Sequence, residues 1–321
     1  MDQKFIVDFE KSIEELTQQL QMLNKNAKTS GIDFSNEICA IELKIKETKE
    51  KLSADISEWE NVQIARHPMR PYSMDYISRI FSNFQELHGD RLYSDDQSMV
   101  CGIADIDDIP VVIISQQKGR SIKENIARNF GMQYPEGYRK ALRLMKLAEK
   151  FCMPIITFVD TSGAFPGIES EERHVAEAIA MNLRDMMAIK SPIISVLIGE
   201  GGSGGAIGIA VADKIMILEN AYYSVISPEG CAAIIWKDKS KAPCAAKMLK
   251  ISTKKLLEFG IVDEVINEPS GGAHTDYDTV AHSVKDGILR NLNLLKKTKT
   301  DVLLKNRYNR YRKLGILEIK K

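Results

Sequence analysis

The sequence has little of what marks secreted, membrane or metal-bound proteins. Its 321 residues include five cysteines, scattered and without a C-x-x-C pair, which argues against a disulfide framework or a zinc site. Its histidines show no metal-ligand spacing, no apolar run approaches the length of a membrane span, and the N-terminus is not a signal peptide. Basic and acidic residues both number 44, so no net charge favours nucleic acid or membrane lipids. These absences predict a cytoplasmic globular protein.

Residues 1–60 differ in pattern from the rest of the chain. Apolar residues recur there at alternating spacings of three and four, and a polar break at residues 24–31 separates the two stripes. This predicts a helical hairpin that leaves apolar surface for a partner chain or for the main domain, and hence a role in assembly. The stripes consist of Phe9, Ile13, Leu16, Leu20 and Leu23, and of Ile38, Ile41, Ile45, Thr48 and Leu52.

Residues 61–321 read as one α/β domain, in which strands and helices alternate. Two prolines, Pro68 and Pro71, end the N-terminal helices, and a helical tail begins at about residue 296. The predicted strands are 99–105, 110–115, 155–159, 193–198, 214–218 and 261–266, and the predicted helices are 136–151, 171–188 and 301–314.

A glycine-rich segment is the most informative part of the sequence. The apolar run 193–198 meets Gly-Glu-Gly-Gly-Ser-Gly-Gly at 199–205, and small residues follow to position 212. This predicts a buried strand, a tight glycine turn and a closely packed helix. The first N–H groups of a helix lack intrahelical partners, and glycine lets a ligand approach them. We therefore expect this turn to bind an anion or an oxyanion.

A second loop has a similar design. Residues 160–167 follow the strand 155–159 and contain two glycines and a proline. Two such loops at the ends of adjacent strands could aim backbone N–H groups at one point, as in an oxyanion hole. Lys118 and Arg120, just after another strand, are basic candidates for an anionic substrate, although solvated surface positions are slightly favoured for both.

Other interpretations of the glycine segment remain open on these residues alone. Gly199, Gly201 and Gly204, with Glu219 downstream, match a dinucleotide fingerprint and would indicate an NAD(P)-linked oxidoreductase. Residues 201–205 match a hydrolase nucleophile elbow at Ser203, for which only His274 and His282 lie downstream. The glycines could also serve close packing only, in a non-catalytic assembly subunit.

Six segments in order along nearly the whole chain form a further pattern: 65–72, 129–132, 135–143, 160–167, 200–206 and 223–230. Together they resemble the alpha subunit of bacterial acetyl-coenzyme A carboxylase carboxyltransferase. Within them, Ser162 and Phe165 stand where proline and tyrosine are common in that family. A backbone role for this loop survives both changes, whereas a role for a tyrosine hydroxyl at 165 does not.

The resemblance implies a crotonase/ClpP-like fold of repeated ββα units. It implies transfer of a carboxyl group from carboxybiotin, presented by a biotin carboxyl carrier protein, to acetyl-CoA. The product is malonyl-CoA, in the first committed step of fatty acid biosynthesis. It also implies a beta subunit, in an alpha2beta2 assembly, that holds the zinc of the complex and is required for activity. ATP is used by the separate biotin carboxylase.

The resemblance also assigns the site. The backbone N–H groups of Gly204 and Gly205 form the oxyanion hole for carboxybiotin, and no metal is held by this chain. No side-chain base is required of this chain, because the nitrogen of biotin can take the proton from the acetyl group. The expected substrate-binding residues are Gly163, Ala164, Phe165, Pro166, Gly167, Gly201, Gly202, Ser203, Lys118 and Arg120.

Overall fold

The computed structural model describes residues 11–30, 34–54 and 56–315 of the chain. The first two helices, α1 (Lys11–Ser30) and α2 (Ser35–Ala54), contact each other. The predicted break between the helices covers residues 24–31, and residues 24–30 contradict it, because α1 continues to Ser30. Residues 24–30 contain neither glycine nor proline, and polar residues alone rarely end a helix. Phe9 and Gly31 lie outside the described residues.

The predicted apolar stripes coincide with the less exposed faces of α1 and α2. Leu16, Leu20 and Leu23 on α1 are half-buried, as are Ile38 and Ile45 on α2, and most of their neighbours are exposed. A two-helix contact covers each side chain only in part, so apolar surface remains. The function of this hairpin in assembly stays a prediction.

The main domain is built on one eight-stranded sheet. Its order is β1-β2-β3-β4-β5-β6-β8, and β7 pairs with the C-terminal part of β5. The first three strands are antiparallel and the remaining pairs are parallel. The strands are β1 (Ser82–Glu86), β2 (Met99–Ile106), β3 (Ile109–Gln116), β4 (Ile155–Thr161), β5 (Ile193–Gly202), β6 (Lys214–Leu218), β7 (Tyr222–Ser224) and β8 (Glu264–Ile266).

Helices cover the sheet and connect its parallel strands. Strands β4 and β5 are buried along their whole length, as expected of parallel strands covered on both faces. In the described part of the chain, no helix is both long enough and apolar enough to cross a membrane. The further helices are α3 (Glu58–Ala65), α4 (Ser73–Ile80), α5 (Ile122–Ala127), α6 (Pro135–Lys150), α7 (Ile168–Glu172), α8 (Val175–Met186), α9 (Ser203–Ala210), α10 (Pro228–Trp236), α11 (Ala242–Leu249), α12 (Thr253–Glu258), α13 (Tyr277–Leu295) and α14 (Thr300–Arg312).

Three predicted elements differ from the structure at their boundaries. Strand β5 runs through the first glycines to Gly202, because β7 pairs with residues 200–202. The predicted helix 171–188 is divided at His174, whose backbone is left-handed, into α7 and α8. Strand β8 begins at Glu264 instead of residue 261. The other predicted strands and helices are confirmed to within a few residues.

Candidate active site

The two glycine loops meet at backbone level. Strands β4 and β5 are parallel neighbours, and Thr161 pairs with Gly201 where they end. A Cβ atom placed on Gly205 would lie 2.5 Å from the carbonyl carbon of Gly163 and 2.7 Å from the nitrogen of Ala164. Since real Cβ atoms do not approach backbone this closely, only glycine permits this contact between the loops.

The start of α9 lies at this contact and carries no side-chain cap. Its first N–H groups have no intrahelical acceptor, and Gly202, the N-cap residue, has no side chain to satisfy them. Ser203 adopts a left-handed backbone, with φ of 49°, as the chain passes from strand to helix. A Cβ on Gly204 would meet only Ile179, at 3.5 Å, so the space beside Gly204 is open.

The loop after β4 offers one further donor. The N–H of Gly163 donates to Thr161 Oγ1 at 3.1 Å, and the N–H of Phe165 donates to the carbonyl of Gln133 at 3.0 Å. No acceptor for the N–H of Ala164 is found within the described residues. Ala164, whose nitrogen lies beside Gly205, is therefore the donor of this loop that stands next to the start of α9.

An apolar cleft of about 540 Å³ opens beside Ser203 and Gly204. Ile207 and Val225 expose apolar surface at this cleft, Val225 by 77%. Of the described residues that line it, none is a histidine or a carboxylate. The lining consists of Leu183, Ser203, Gly204, Ile207, Ala210, Val211, Ile215, Tyr223, Ser224, Val225, Leu256, Ile261, Tyr311 and Leu314.

The Lys118 side chain is only 13% exposed, so Lys118 is not a solvated surface lysine. Its Nζ lies 2.7 Å from Asp160 Oδ1 and 2.8 Å from Glu200 Oε1. Burial alone would lower the pKa of Lys118, but the two carboxylates outweigh it and hold the pKa above its usual value. With both partners in place, Lys118 is committed to this ion-pair cluster.

Arg120 is likewise held by the protein. It pairs with Asp75 at 2.5 Å, donates to the carbonyl of Pro68 at 3.1 Å, and lies over the ring of Tyr72 at 4.6 Å. Lys118 and Arg120 both line a smaller pocket of about 300 Å³. The expectation of a solvated cation is thus wrong for Lys118, whose carboxylate partners lie far away in the sequence, whereas Arg120 is exposed and pairs with Asp75 at the surface.

Glu200 is the centre of the buried charge cluster, and sequence reasoning missed it. Its Oε2 accepts from Arg66 Nε at 2.7 Å and from the Tyr222 hydroxyl at 2.6 Å. Burial would raise the pKa of Glu200, but Lys118 and Arg66 together lower it to about 2. Because Glu200 lies on β5 two residues before the N-cap of α9, this cluster fixes the strand that leads into the site.

The remaining predicted substrate residues shape the loops. Gly201 and Gly202 lie in β5 and are buried, and a Cβ on Gly202 would come within 2.2 Å of the Ser162 carbonyl oxygen. The Phe165 ring lies 4.6 Å from that of Tyr134 and covers Gly167. Pro166 is exposed.

Neither motif-based alternative fits this geometry. Gly199 and Gly201 belong to a strand instead of a phosphate-binding turn, and Glu219 accepts the N–H of Glu268 at 3.0 Å. The Ser203 elbow lacks partners, since His274 stacks on His67 at 3.9 Å and neither lines the cleft. His282 lies on the exposed face of α13 and does not line the cleft either.

The chain is similar in sequence to a family of known proteins. Residues 6–315 match the family described as acetyl co-enzyme A carboxylase carboxyltransferase-like. The acetyl-coenzyme A carboxylase carboxyl transferase subunit alpha of Geobacter metallireducens is 49% identical over 315 residues, which cover 98% of this chain and 99% of that protein. Its counterpart in Vibrio vulnificus is 49% identical over 312 residues, or 96% and 98% of the two chains.

Solved structures share the fold at low sequence identity. Transcarboxylase 12S, with hydrolysed methylmalonyl-coenzyme A bound, superposes with a TM-score of 0.56 at 18% identity. The match covers 70% of this chain and 42% of the transcarboxylase chain. A Pseudomonas malonate decarboxylase hetero-tetramer in complex with coenzyme A superposes with a TM-score of 0.55 at 16% identity. The match covers 68% of this chain and 88% of that chain. These likenesses confirm the predicted α/β, crotonase-like fold class. By its sequence matches, the chain belongs to the family of acetyl-coenzyme A carboxylase carboxyl transferase alpha subunits.

Proposed function

We propose that this chain is the alpha subunit of an acetyl-CoA carboxylase carboxyltransferase and binds the biotin side of the reaction. The carboxyl group passes from carboxybiotin on a carrier protein to acetyl-CoA, which gives malonyl-CoA. One observation carries the proposal beyond family membership. The start of α9 and the loop that carries Ala164 meet at backbone level, and an open apolar cleft lies beside Ser203 and Gly204.

The backbone donors suit the charge that this reaction creates. When bound, carboxybiotin supplies the carboxyl group, and negative charge collects on its ureido oxygen as that group leaves. The N–H groups of Gly204, Gly205 and Ala164 can donate to this oxygen without prior reorganisation, because the two loops are fixed against each other. Removing one such donor typically costs about 3–4 kcal/mol of transition-state stabilisation.

The cleft suits the rest of that ligand. Its lining is dominated by apolar side chains such as Ile207, Val211 and Leu256, which match an apolar ring system and alkyl chain. The open space beside Gly204 leaves room for a polar group next to the helix start. Among the expected residues, Ser203 contributes to this wall, whereas Lys118 and Arg120 support the site from their ion pairs.

The apolar rim of the cleft supports a site completed by another chain. Val225 and Ile207 expose apolar side chains there, and an exposed apolar rim is typical of a protein interface. We assign this cover to the carboxyltransferase beta subunit, in an alpha2beta2 assembly, with the zinc site in that subunit. The biotin carboxyl carrier protein and an ATP-dependent biotin carboxylase are the further partners. A cytoplasmic location stays a prediction from the sequence.

The test is a reconstitution of the reverse reaction. Labelled malonyl-CoA and free biotin are incubated with this chain, with the beta subunit, and with both. Label should reach biotin only in the mixture. Transfer by this chain alone at the rate of the mixture would contradict the shared site, and an assembled but inactive complex would contradict the function.

A further inference from the structure

The buried amide of Gln116 joins three elements of the site. Its Nε2 donates to the carbonyl oxygen of Gly205 at 2.8 Å and to Gln133 Oε1 at 2.9 Å. Its Oε1 accepts the backbone N–H of Asp160 at 3.1 Å. Gln116 thus connects the end of β3 to the end of β4 and to the first turn of α9.

The partners of this amide allow only one orientation. A carbonyl oxygen can only accept and a backbone N–H can only donate, so Gly205 and Asp160 fix which end of the amide faces each. Gln133 adds to this, because its own Nε2 donates to the carbonyl of Gly131 at 2.8 Å and its Oε1 is left facing Gln116. Both N–H groups and the oxygen of the Gln116 amide are therefore hydrogen-bonded inside the protein.

We propose that Gln116 is a positioning residue for carboxyl transfer, which fixes the start of α9 relative to the loop after β4. The inference rests on the proposed function of the Gly204, Gly205 and Ala164 donors. Their alignment depends on a contact so close that Gly205 has no room for a methyl group beside Ala164. A misplacement of about 1 Å in such a site can cost about 100-fold in rate.

The neighbouring Gln117 offers a matched control. It is also buried and also uses both ends of its amide, since Oε1 accepts the N–H of Met74 at 2.9 Å and Nε2 donates to the carbonyl of Lys118 at 2.8 Å. Neither bond reaches α9. Substituting methionine at 116 or at 117 removes a buried amide of the same size from the same segment.

The first measurement compares Gln116→Met with Gln117→Met in the complex with the beta subunit. Gln116→Met should lower kcat about 10- to 100-fold and leave KM for malonyl-CoA within about threefold, because the donors act on the transition state. Gln117→Met should keep kcat within about threefold of the wild type. Equal losses of kcat in the two variants would overturn the proposal.

A second variant, Gln116→Glu, tests the proposal if Gln116→Met fails to fold. In Gln116→Glu, a protonated acid can donate to Gly205 and accept from Asp160, although it has no second proton for Gln133, whereas a carboxylate sets an oxygen against the Gly205 carbonyl. The kcat of Gln116→Glu relative to wild type should therefore rise as the pH falls from about 9 to about 6, because buried glutamates can titrate as high as about pH 8–9. A kcat ratio that does not rise over this range contradicts the proposal.

The activity of the wild-type complex distinguishes a failure of the proposed function from a failure of the role of Gln116. A wild-type complex without transfer activity contradicts the proposed function. An active wild type with an unimpaired Gln116→Met variant contradicts the role of Gln116 alone.

Discussion

Gly205 and Ala164, from loops 41 residues apart in the sequence, touch through their backbones, and a Cβ on Gly205 would lie 2.7 Å from the Ala164 nitrogen. Each loop follows one of two adjacent parallel strands, so the contact is a direct consequence of sheet order. It brings two sets of N–H groups together without any side chain.

Gly205→Ala adds only one methyl group but should strongly disrupt the site. The added methyl group meets the backbone of Gly163 and Ala164, which cannot turn aside as a side chain would. We expect kcat in the reconstituted complex to fall about 100-fold or more. The comparator for stability is Gly204→Ala, whose methyl group meets only Ile179 at 3.5 Å, and its melting temperature should stay close to that of the wild type. Equal kcat in wild type and Gly205→Ala would contradict the close contact.

Ser203→Ala should retain most of the carboxyl transfer. Ser203 stands at the cleft, but no histidine or carboxylate lines the cleft within the described residues. Loss of a nucleophilic serine typically costs about 10⁶-fold in kcat. Steady-state kinetics of the reconstituted complex decide the matter, and an inactive Ser203→Ala variant with an intact circular dichroism spectrum would favour the nucleophile interpretation.

Much of the architecture is readable from the sequence, because apolar runs, glycine loops and prolines mark the strands and their ends. The contact between the two glycine loops follows from the order of the strands that precede them. The charge cluster cannot be predicted in this way, since Arg66 and Glu200 lie 134 residues apart in the sequence. Lys140 on α6 shows the same limit. It is fully buried and paired with Asp95 at 2.6 Å, a partner that helix periodicity cannot indicate.

The full length of β5 could not be predicted from the sequence either. Glycine weakens a strand, so the run from Gly199 is typical of a turn, and only the pairing with β7 keeps residues 200–202 in the sheet. Gln116 gave no signal of its own, because its partners are mostly backbone atoms that any sequence would supply.

Glu200→Gln should destabilise the protein in a pH-dependent way. The substitution leaves Lys118 and Arg66 without their shared carboxylate, and breaking a buried pair typically costs about 3–5 kcal/mol. The pKa of Glu200 is about 2 in the folded protein, below the unfolded value of about 4.3, so its contribution is complete above the unfolded pKa and is lost as pH falls toward 2. Urea unfolding of both proteins should show a difference that is constant above about pH 5 and shrinks below about pH 4. A difference that grows on acidification would contradict the pairing.

Lys118→Met separates a supporting role from direct substrate binding. Because Lys118 is enclosed by Asp160 and Glu200, its removal should lower the free energy of unfolding by about 3 kcal/mol or more and leave KM for malonyl-CoA nearly unchanged in the folded fraction. The exposed Lys123 is the control, and Lys123→Met should alter neither quantity. A raised KM with unchanged stability would restore Lys118 as a substrate ligand.

Deletion of residues 1–60 should impair assembly more than folding. The half-buried stripes of α1 and α2 leave apolar surface that a partner can cover. The truncated chain should keep its α/β circular dichroism spectrum but associate more weakly with the beta subunit in analytical ultracentrifugation. Normal complex formation by the truncated chain would contradict this role.

The central claim is that backbone N–H groups of this chain stabilise the transition state, and replacing an amide by an ester tests it most directly. Ala164 is exchanged for lactic acid, which removes its N–H and keeps its shape, and Phe165 for phenyllactic acid as the control, because that N–H donates to Gln133 inside the protein. We predict that the Ala164 ester lowers kcat of the reconstituted complex about 100-fold, while the Phe165 ester affects mainly stability. An Ala164 ester that transfers carboxyl groups at the wild-type rate would contradict the account.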